Sequence, residues 1–432
     1  MSAADARSER RRVAARRVLA EVATLGFVAA ALVACGDDAE SSGAGGGATV
    51  GTSASTGSGG AGSTSSSGSG GEGGGVVPSG KVPVFVAQGH VGTTLLSCDD
   101  GQSWRALRSF DAEGHALVCD ELAAVRCFEG GCSYRNGSGS CVDTASSCDC
   151  DHHPGSGKGL AHGDGAFVAT FGWGQPGVVL RSTNGVDWVE VDAGHTYADV
   201  AAGNGLVALA ERTPAISTDA GLSFAPSTDA GHVPWNVRRL FYFAGAQRFM
   251  QAAASGAEHD VRLTSDFQTW SSPSAMPAGC LPIAEATEGG GVIVTRGGGV
   301  CRSSDGGASF SLVALPGNAD LYSGPVWDGA KFLVWGTDGG IRAYTSADGT
   351  SWSSAETNLG GGNRFGEVAR NPVSGTMVAA RSEWMGWYED MRWYRSADGI
   401  SWETLSAADG PATHPIGELV FGYADPSAAC PL

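Results

Sequence analysis

Positive charge is scarce in this sequence, which has 27 Lys and Arg residues against 45 Asp and Glu residues and a formal net charge of −18. Removing residues 1–34 takes away six arginines and three acids, which leaves a chain of about −21. A strongly anionic protein is repelled by nucleic acid and by anionic lipid surfaces. The composition therefore predicts a protein that binds neither.

Long apolar runs are also missing. The uncharged apolar run at residues 22–33 follows a basic head, and its length of about a dozen residues suits the core of a secretion signal rather than a membrane span. It ends in Leu32-Val33-Ala34-Cys35, which resembles a bacterial lipobox. The resemblance implies a signal peptide over residues 1–35 and lipid attachment at Cys35, with an ordinary signal peptide carrying a stray cysteine as the alternative. Gly36 after this cysteine favours sorting to the outer membrane.

Residues 36–80 contain almost nothing that a folded core could bury. They are mainly Gly, Ser, Ala and Thr, a composition that stays disordered. A random coil of this length has a root-mean-square span of roughly 35–40 Å. We expect a tether that holds a folded head away from a membrane and carries no chemistry.

A short pattern recurs seven times in the rest of the chain. Copies of the form S-x-D-x-G-x-S-[WF] begin at Ser97, Ser217 and Ser303, and copies one residue shorter begin at Ser182, Ser346 and Ser396. The seventh copy begins at Thr264 and has Phe267 where glycine is expected. An Asp carboxylate can accept backbone N–H groups across a tight bend, and glycine adopts the left-handed conformation at low cost. One carboxylate per turn is too few for a calcium loop, so the pattern is interpreted as structural.

This pattern resembles the Asp-box of sialidase-type (BNR-repeat) β-propellers. The resemblance covers nearly all of residues 81–432 and implies an all-β propeller whose boxes join the third and fourth strands of each blade. Successive boxes begin 85, 35, 47, 39, 43 and 50 residues apart, and all but the first distance suit propeller blades of about 40–50 residues. We interpret residues 108–158 as a Cys-rich insertion, which leaves seven blades. A degenerate blade in this segment, giving eight, is the alternative.

The two ends of the propeller region are predicted to share one blade. Residues 417–423 resemble a first strand without a box, and residues 82–107 supply three strands and a box. Pairing them closes the ring and removes two exposed sheet edges. Cys98 and Cys430 lie in these two segments, so we expect a disulfide between them that locks the ring.

The cysteines other than Cys35 number ten, an even count that fits an oxidising compartment. Cys280 and Cys301 flank the inner strands of one blade and are expected to pair locally. Six more lie in the insertion, and their pairing is open: Cys119, Cys127, Cys132, Cys141, Cys148 and Cys150. The nearby His152 and His153 do not complete a typical zinc spacing. We predict no metal and no cofactor.

The signature of an active sialidase is incomplete. Enzymes of this superfamily bind the substrate carboxylate with three arginines, one of them in a Phe/Tyr-Arg-Ile-Pro motif of the first blade. The corresponding segment here is Lys81-Val82-Pro83-Val84-Phe85, without arginine. Arg181, Arg302 and Arg395 directly precede box serines, a position on an outer strand, and Arg238-Arg239 lies near an inner strand without an evident partner. No catalytic residue is predicted, although convergence of acids and arginines at the top of the channel would favour a hydrolase.

An aromatic run at residues 383–394 is the most distinctive candidate site. It lies between the second and third strands of its blade, a connection that emerges opposite the boxes, on the top face, as does the loop at residues 171–174. We predict a stacking platform of Trp173, Trp384 and Trp387. The same ligand site is predicted to include Tyr388, Glu389, Asp390 and Arg392. The alternative is structural, with Trp393 or Tyr394 packing between blades.

The sequence as a whole favours an exported, lipid-anchored propeller that acts as a non-catalytic binding or scaffold module. Its expected ligand is a glycan or an envelope protein, bound by a monomer at the periplasmic face or the cell surface. A sialidase-like glycoside hydrolase with a rearranged site is the alternative. A third possibility comes from a resemblance to the photosystem assembly-factor propellers, which implies a chaperone role.

Overall fold

The computed structural model describes most of the chain from residue 77 onward. The described residues are 77–89, 94–106, 134–135, 141–142, 157–171, 178–193, 195, 197–210, 214–227, 238–253, 260–280, 283–360, 364–381, 392–405 and 416–430. Cys35, the tether and most of the Cys-rich insertion lie outside these ranges. Within the ranges given, no helix is long and apolar enough to cross a membrane.

The described strands form seven four-stranded antiparallel sheets, which we number as blades 1 to 7 and give from the innermost strand outward. Blade 1 consists of β30 (Ile416–Ala424), β1 (Val82–Gly89), β2 (Thr94–Ser97) and β3 (Arg105–Ala106). Blade 2 consists of β6 (Gly157–Gly163), β7 (Ala166–Phe171), β8 (Val178–Ser182) and β9 (Val189–Ala193). Blade 3 consists of β10 (Asp199–Gly203), β11 (Leu206–Ala210), β12 (Ala215–Ser217) and β13 (Ala225–Pro226). Blade 4 consists of β14 (Arg238–Phe243), β15 (Arg248–Ala253), β16 (Asp260–Thr264) and β17 (Ser274–Ala275).

The remaining blades follow the same plan. Blade 5 consists of β18 (Glu285–Gly289), β19 (Val292–Arg296), β20 (Val300–Ser303) and β21 (Ser311–Val313). Blade 6 consists of β22 (Asp320–Trp327), β23 (Phe332–Thr337), β24 (Ile341–Ser346) and β25 (Ser353–Glu356). Blade 7 consists of β26 (Phe365–Arg370), β27 (Met377–Arg381), β28 (Trp393–Ser396) and β29 (Trp402–Leu405). A two-stranded pair, β4 (Tyr134–Arg135) and β5 (Cys141–Val142), and a short helix, α1 (Pro426–Ala429), complete the described elements.

The seven innermost strands are neighbours in a closed cycle, in the order β30, β6, β10, β14, β18, β22, β26 and back to β30. Strand β30 pairs with β1 from Val82↔Ala424 onward, so the two ends of the chain share blade 1. The predicted seven-bladed propeller is therefore confirmed, and so is its closure. Blade 2 already begins at Gly157, so the last two residues assigned to the insertion belong to the propeller instead.

Each box forms the tight turn between the third and fourth strands that its composition predicts. In the box of blade 5, the Gly307 backbone N–H donates to Ser303 Oγ at 2.9 Å and the Ser309 N–H donates to Asp305 Oδ1 at 3.0 Å. Gly307 has a φ of 88°, in the left-handed region where glycine is favoured. We call the edge that carries these turns the bottom and the opposite edge the top.

The box glycines also set the spacing between blades. A Cβ atom on Gly221 of blade 3 would lie 2.8 Å from Val168 of blade 2, and one on Gly101 of blade 1 would lie 2.4 Å from Val378 of blade 7. In blade 4 the large residue is in the box instead of on the neighbouring strand: the position of the box glycine is taken by Phe267, which is fully buried and has a φ of 56°. Phe267 shares an apolar cluster with Ala208, which occupies in blade 3 the position that Val168 occupies in blade 2. A large box residue thus packs against a small strand residue.

Two disulfides join the described residues in the pairs expected from the sequence. Cys98 is bonded to Cys430 across 332 residues, and Cys280 is bonded to Cys301 across 21 residues. Arg105 donates a further hydrogen bond to the carbonyl of Ala429 at 2.9 Å, which holds α1 against blade 1. The chain end is therefore tied to the blade that closes the ring.

Candidate functional site

The predicted aromatic platform falls almost entirely outside the described residues. Trp173, Trp384, Trp387, Tyr388, Glu389 and Asp390 belong to that part of the chain. Arg392 is described and partly buried, directly before β28. The flanking strands are described: β27 ends and β28 begins at the top edge of blade 7, and β7 ends and β8 begins at the top edge of blade 2. The platform stays a prediction.

Aromatic side chains at the end of the same run pack between blades. Trp393 is buried and stacks on Trp104 of blade 1, with ring centroids 3.7 Å apart and an interplanar angle of 15°. Tyr394 is buried in the cluster that also contains Phe365. These two residues belong to the core, as the structural alternative for this part of the run expected.

Charged residues of five blades lie at one level of the central channel. Blades can be compared level by level by counting along the second strand from the residue that pairs with the first Ser or Thr of the box. Three residues from that position towards the top, the second strands have Gln88, Ala210, Ala252 and Arg296. Their partners on the innermost strands are Glu418, Asp199, Arg239 and Glu285. Glu367 reaches the same level from a register irregularity in β26.

We call Asp199, Arg239, Glu285, Glu367 and Glu418 the charged ring. Because innermost strands run from top to bottom and these residues lie among their first three positions, the ring is at the top mouth of the channel. The other two blades have Gly159 and Ser323 at this level. A Cβ atom on Gly159 would lie 2.6 Å from Asp199 Oδ1, so glycine leaves the space that this carboxylate occupies.

Arg239 is the centre of the charged ring. Its guanidinium lies 3.9 Å from the carboxylate of Asp199, and its side chain remains 26% exposed. Burial lowers the pKa of Arg239, but the four carboxyl groups of the ring together raise it above its ordinary value. A side chain that interacts with acids from four other blades must lie close to the channel axis.

Two of the ring carboxylates bind the backbone of the following blade. Asp199 accepts hydrogen bonds from the N–H groups of Val200 at 2.8 Å and Leu240 at 3.0 Å. Glu367 accepts one from the N–H of Leu419 at 3.0 Å. The contacts to Leu240 and Leu419 join neighbouring innermost strands, so both acids contribute to holding the propeller closed.

Glu418 differs from these two acids. The residue is 7% exposed, and its Oε2 atom has no hydrogen-bond partner among the described residues. Burial raises the pKa of Glu418 to about 8, with Asp199 and Glu285 adding to the rise and Arg239 and Lys158 opposing it. Burial also raises the pKa of Glu285, Glu367 and Asp199, the last to about 7. These carboxyl groups therefore hold protons at pH values where exposed acids are ionised.

Two further cations lie beside the ring. Lys158 occupies a register irregularity at the top of β6 and acts electrostatically on Glu418. Arg296 pairs across the sheet with Glu285 and donates from Nε to the carbonyl of Gly324 at 2.5 Å. With Arg239 there are three cations for four carboxyl groups among the described side chains of the mouth. These described groups thus have an excess of one negative charge when all of them are ionised.

The arginines that precede box serines do not contribute to this site. Arg181 donates from Nε to the carbonyl of Ala220 at 2.7 Å, Arg302 to that of Asp348 at 2.9 Å and Arg395 to that of Asp100 at 2.8 Å. Each bond joins the third strand of one blade to the box of the next, at the bottom edge. They are interblade contacts and form no anion-binding triad.

The expectation that Arg238-Arg239 lacks a partner is wrong. Arg239 is surrounded by carboxyl groups that are 40 or more residues away in the chain. No local sequence pattern links it to them. A weaker signal was present: each ring residue directly precedes an apolar residue near the start of an innermost strand, as in Asp199-Val200 and Glu418-Leu419. Among the described residues, no group of three or more His, Cys, Asp or Glu side chains is placed to hold a metal ion.

No protein-family model matches the chain, and no curated protein matches it either. The chain is similar to the structure of YCF48 from Cyanidioschyzon merolae, with 13% identity over 59% of this chain and 83% of that chain and a TM-score of 0.41. It is similar to YCF48 bound to D1 peptide, with 11% identity over 70% of this chain and 90% of that chain and a TM-score of 0.44. It is also similar to apo AztD from Citrobacter koseri, with 11% identity over 79% of this chain and 98% of that chain and a TM-score of 0.38.

Proposed function

We propose that this propeller is a non-catalytic binding module, exported and anchored by a lipid on Cys35, that holds a glycan or protein ligand on its top face. The observation that carries the proposal is the charged ring at the top mouth of the channel. Five blades place a charged side chain at one level there, whereas the Asp or Asn side chain of each box at the bottom edge accepts backbone N–H groups of its own turn. A site that departs from the repeat is where a ligand is expected.

The predicted aromatic platform supports the same face. Trp384 and Trp387 belong to the connection between β27 and β28 of blade 7, and Trp173 belongs to that between β7 and β8 of blade 2. Blade 1, which carries Glu418, lies between these two blades in the ring. Stacking side chains on both sides of a charged mouth suit a ligand that has flat or apolar parts and polar groups.

Hydrolysis is the second candidate, because acids and arginines do converge at the top of the channel. Two of the acids, however, accept backbone N–H groups of the next blade. The repeated arginines are bound to box carbonyls at the bottom edge. An excess of carboxyl groups repels an anionic sugar such as a sialoside, so we favour binding without turnover. A fluorogenic sialoside and neutral glycosides should show no hydrolysis above that of a denatured control.

The YCF48 structure bound to D1 peptide is an example of a propeller with a peptide ligand. At 11% identity that similarity concerns the fold alone, and the charged ring of this chain carries the proposal. We nevertheless favour a protein ligand, because a protein can offer apolar side chains to the platform and basic side chains to the charged ring.

The test of the binding module uses the full chain with Cys35→Ser, which is expected to be soluble and unlipidated. Membrane association of this variant without detergent would contradict the anchor. Ligands are sought with a glycan array and with purified envelope proteins. Trp384→Ala, Trp387→Ala and Trp173→Ala should each abolish binding of the ligand found and leave the melting temperature nearly unchanged. A large fall in melting temperature would assign these residues to the core, and unchanged binding would remove them from the site.

A further inference from the structure

We propose that the charged ring is a site for an organic cation, the ammonium group of a lysine or the guanidinium group of an arginine on a protein ligand. This inference rests on the proposed binding function and names the chemistry that its channel mouth recognises.

The first argument is charge balance. Among the described side chains, four carboxyl groups at the mouth face the three cations Arg239, Arg296 and Lys158. Buried ionised carboxylates without compensating charges are unfavourable and take up protons instead. A ligand cation supplies the missing positive charge, so the carboxyl groups can ionise when it binds.

The second argument is an unused acceptor. Glu418 is more than nine-tenths buried, and within the described part of the chain its Oε2 atom has no hydrogen-bond partner. The carboxyl group interacts with Arg239, Asp199, Glu285 and Lys158, which belong to four different blades, so it faces the channel. A buried polar atom in a native protein is normally paired with protein, water or ligand. An ammonium or guanidinium group has the donors that this atom lacks.

The third argument concerns the chemical class. An inner-sphere metal ion needs several oxygen ligands within about 2–2.6 Å of one point, and the described His, Cys, Asp and Glu side chains form no such group. An anion would face an excess of carboxyl groups. An organic cation instead forms longer, directional hydrogen bonds to separate acceptors, which a ring of acids from several blades can provide.

Proton exchange follows from the same groups. Facing Glu418 are Asp199 and Glu285, which raise its pKa, and Arg239 and Lys158, which lower it. A further positive charge beside this carboxyl group lowers its pKa and expels the proton. Binding should therefore release up to one proton at pH 7, and affinity should rise with pH as the ring carboxyl groups ionise.

The experiment measures binding of three peptides to the full Cys35→Ser chain by isothermal titration calorimetry. The probes are acetyl-Gly-Lys-Gly-amide, acetyl-Gly-Arg-Gly-amide and the uncharged acetyl-Gly-Gln-Gly-amide. Titrations at pH 7 in two buffers of different ionisation enthalpy give the number of protons released. Glu418→Gln removes the ring acid with little change in shape. Glu356→Gln makes the same change on the exposed outer strand of blade 6 and is the matched control.

We expect the Lys or Arg peptide to bind at least about tenfold more tightly than the Gln peptide, the size of one hydrogen bond to a charged group. Glu418→Gln should remove this preference and reduce the proton release, and Glu356→Gln should change neither. Equal affinity for all three peptides, no binding of any, or a preference that survives Glu418→Gln in a folded variant overturns the proposal. Thermal melts establish that the variants are folded.

Failure of this inference is distinguishable from failure of the binding function. If the tryptophan variants abolish binding of a glycan or protein while no cationic peptide binds, the module stands and the cation site does not. If the cationic peptides bind as expected and no larger ligand is found, the site stands without the platform.

Discussion

The bottom edge and the top mouth of this propeller use the same side chains in opposite ways. At the bottom edge, Arg181, Arg302 and Arg395 each donate to one carbonyl of the next box, and the arrangement repeats from blade to blade. At the mouth, Arg239 is shared by four carboxyl groups, and Glu418 has an acceptor without a partner among the described residues. The repeated turns and interblade bonds belong to the scaffold. Departure from the repeat, with charge left unbalanced, marks the candidate site.

The bottom edge and the closing blade belong to the scaffold, so changes there are expected to lower stability. The largest effect is expected from the disulfide that closes the ring. In the chain-entropy model, a crosslink contributes about 5–6 kcal/mol for the 332-residue loop between Cys98 and Cys430 and about 3 kcal/mol for the 21-residue loop between Cys280 and Cys301. Replacing both cysteines of the first pair by Ser should therefore lower the free energy of unfolding by more than the same change to the second pair. Chemical denaturation measures both, and an equal or smaller loss for the first pair would contradict the closure account.

The next effect tests the one box that departs from the repeat. Phe267→Gly removes a fully buried ring and should cost about 3–4 kcal/mol, because the cavity outweighs the relief of a left-handed phenylalanine. Ala208→Val alone should overpack the interface and cost about 1–3 kcal/mol. Together the two changes restore the pairing found between Gly221 and Val168, so the double variant should be at least about 1 kcal/mol more stable than the sum of the two losses predicts. Strict additivity would show that the two positions do not compensate each other.

A third prediction concerns the pH dependence of the free energy of unfolding, to which His162 below the charged ring and Glu418 within it contribute with opposite signs. His162 is buried on β6 below the ring and accepts a hydrogen bond from the Tyr423 N–H at 3.4 Å. Burial lowers its pKa from 6.5 to about 4, so the unfolded chain binds more protons between these values. The contribution of His162 to stability should be complete above pH 6.5 and fall by up to about 3 kcal/mol as pH decreases to 4.

His162→Gln keeps an acceptor and removes the titration. The difference in unfolding free energy between this variant and the parent should therefore change with pH across the same window. A constant difference between pH 4 and 7 would exclude the account. Glu418 acts with the opposite sign, since its raised pKa makes the folded state lose stability as pH rises from 4.5 towards 8.

The fold was accessible from the sequence because its signals are local. A box of seven or eight residues contains its own turn, acceptor and glycine, so seven copies predict seven blades. The pairing of Cys98 with Cys430 followed from closure, once residues 417–423 were assigned to the blade of residues 82–107. Neither inference required knowledge of a long-range side-chain contact.

The charged ring was not accessible in the same way. Its members come from five blades, and four of the seven innermost strands, β6, β22, β26 and β30, deviate in register near this level. Counting residues from a box therefore does not align them. Charge balance at the mouth also depends on which neighbours face the axis, which is why Arg239 looked isolated. The packing of Trp393 was expected, whereas its partner Trp104 requires the ring geometry.

The smallest effect concerns the interblade arginines. Arg302→Met removes a hydrogen bond to the Asp348 carbonyl at a half-exposed position and should cost about 1 kcal/mol. Since a carbonyl does not titrate, this cost should be the same at pH 5 and pH 8. Arg239→Met should instead cost more at pH 8 than at pH 5, because the carboxyl groups that Arg239 neutralises are protonated at the lower pH. Denaturation of both variants at the two pH values decides whether the regions differ as described.

The central claim is that the mouth of the channel holds a proton in place of a cation, and the pKa of Glu418 tests it most directly. Potentiometric titration of the folded Cys35→Ser chain, with and without Glu418→Gln, isolates the protons that this carboxyl group binds. The account predicts a difference centred at about pH 8, which moves to lower pH when acetyl-Gly-Lys-Gly-amide is added. A difference centred near 4.5, the value of an ordinary glutamate, would mean that the ring is balanced as it stands and has no place for a further cation.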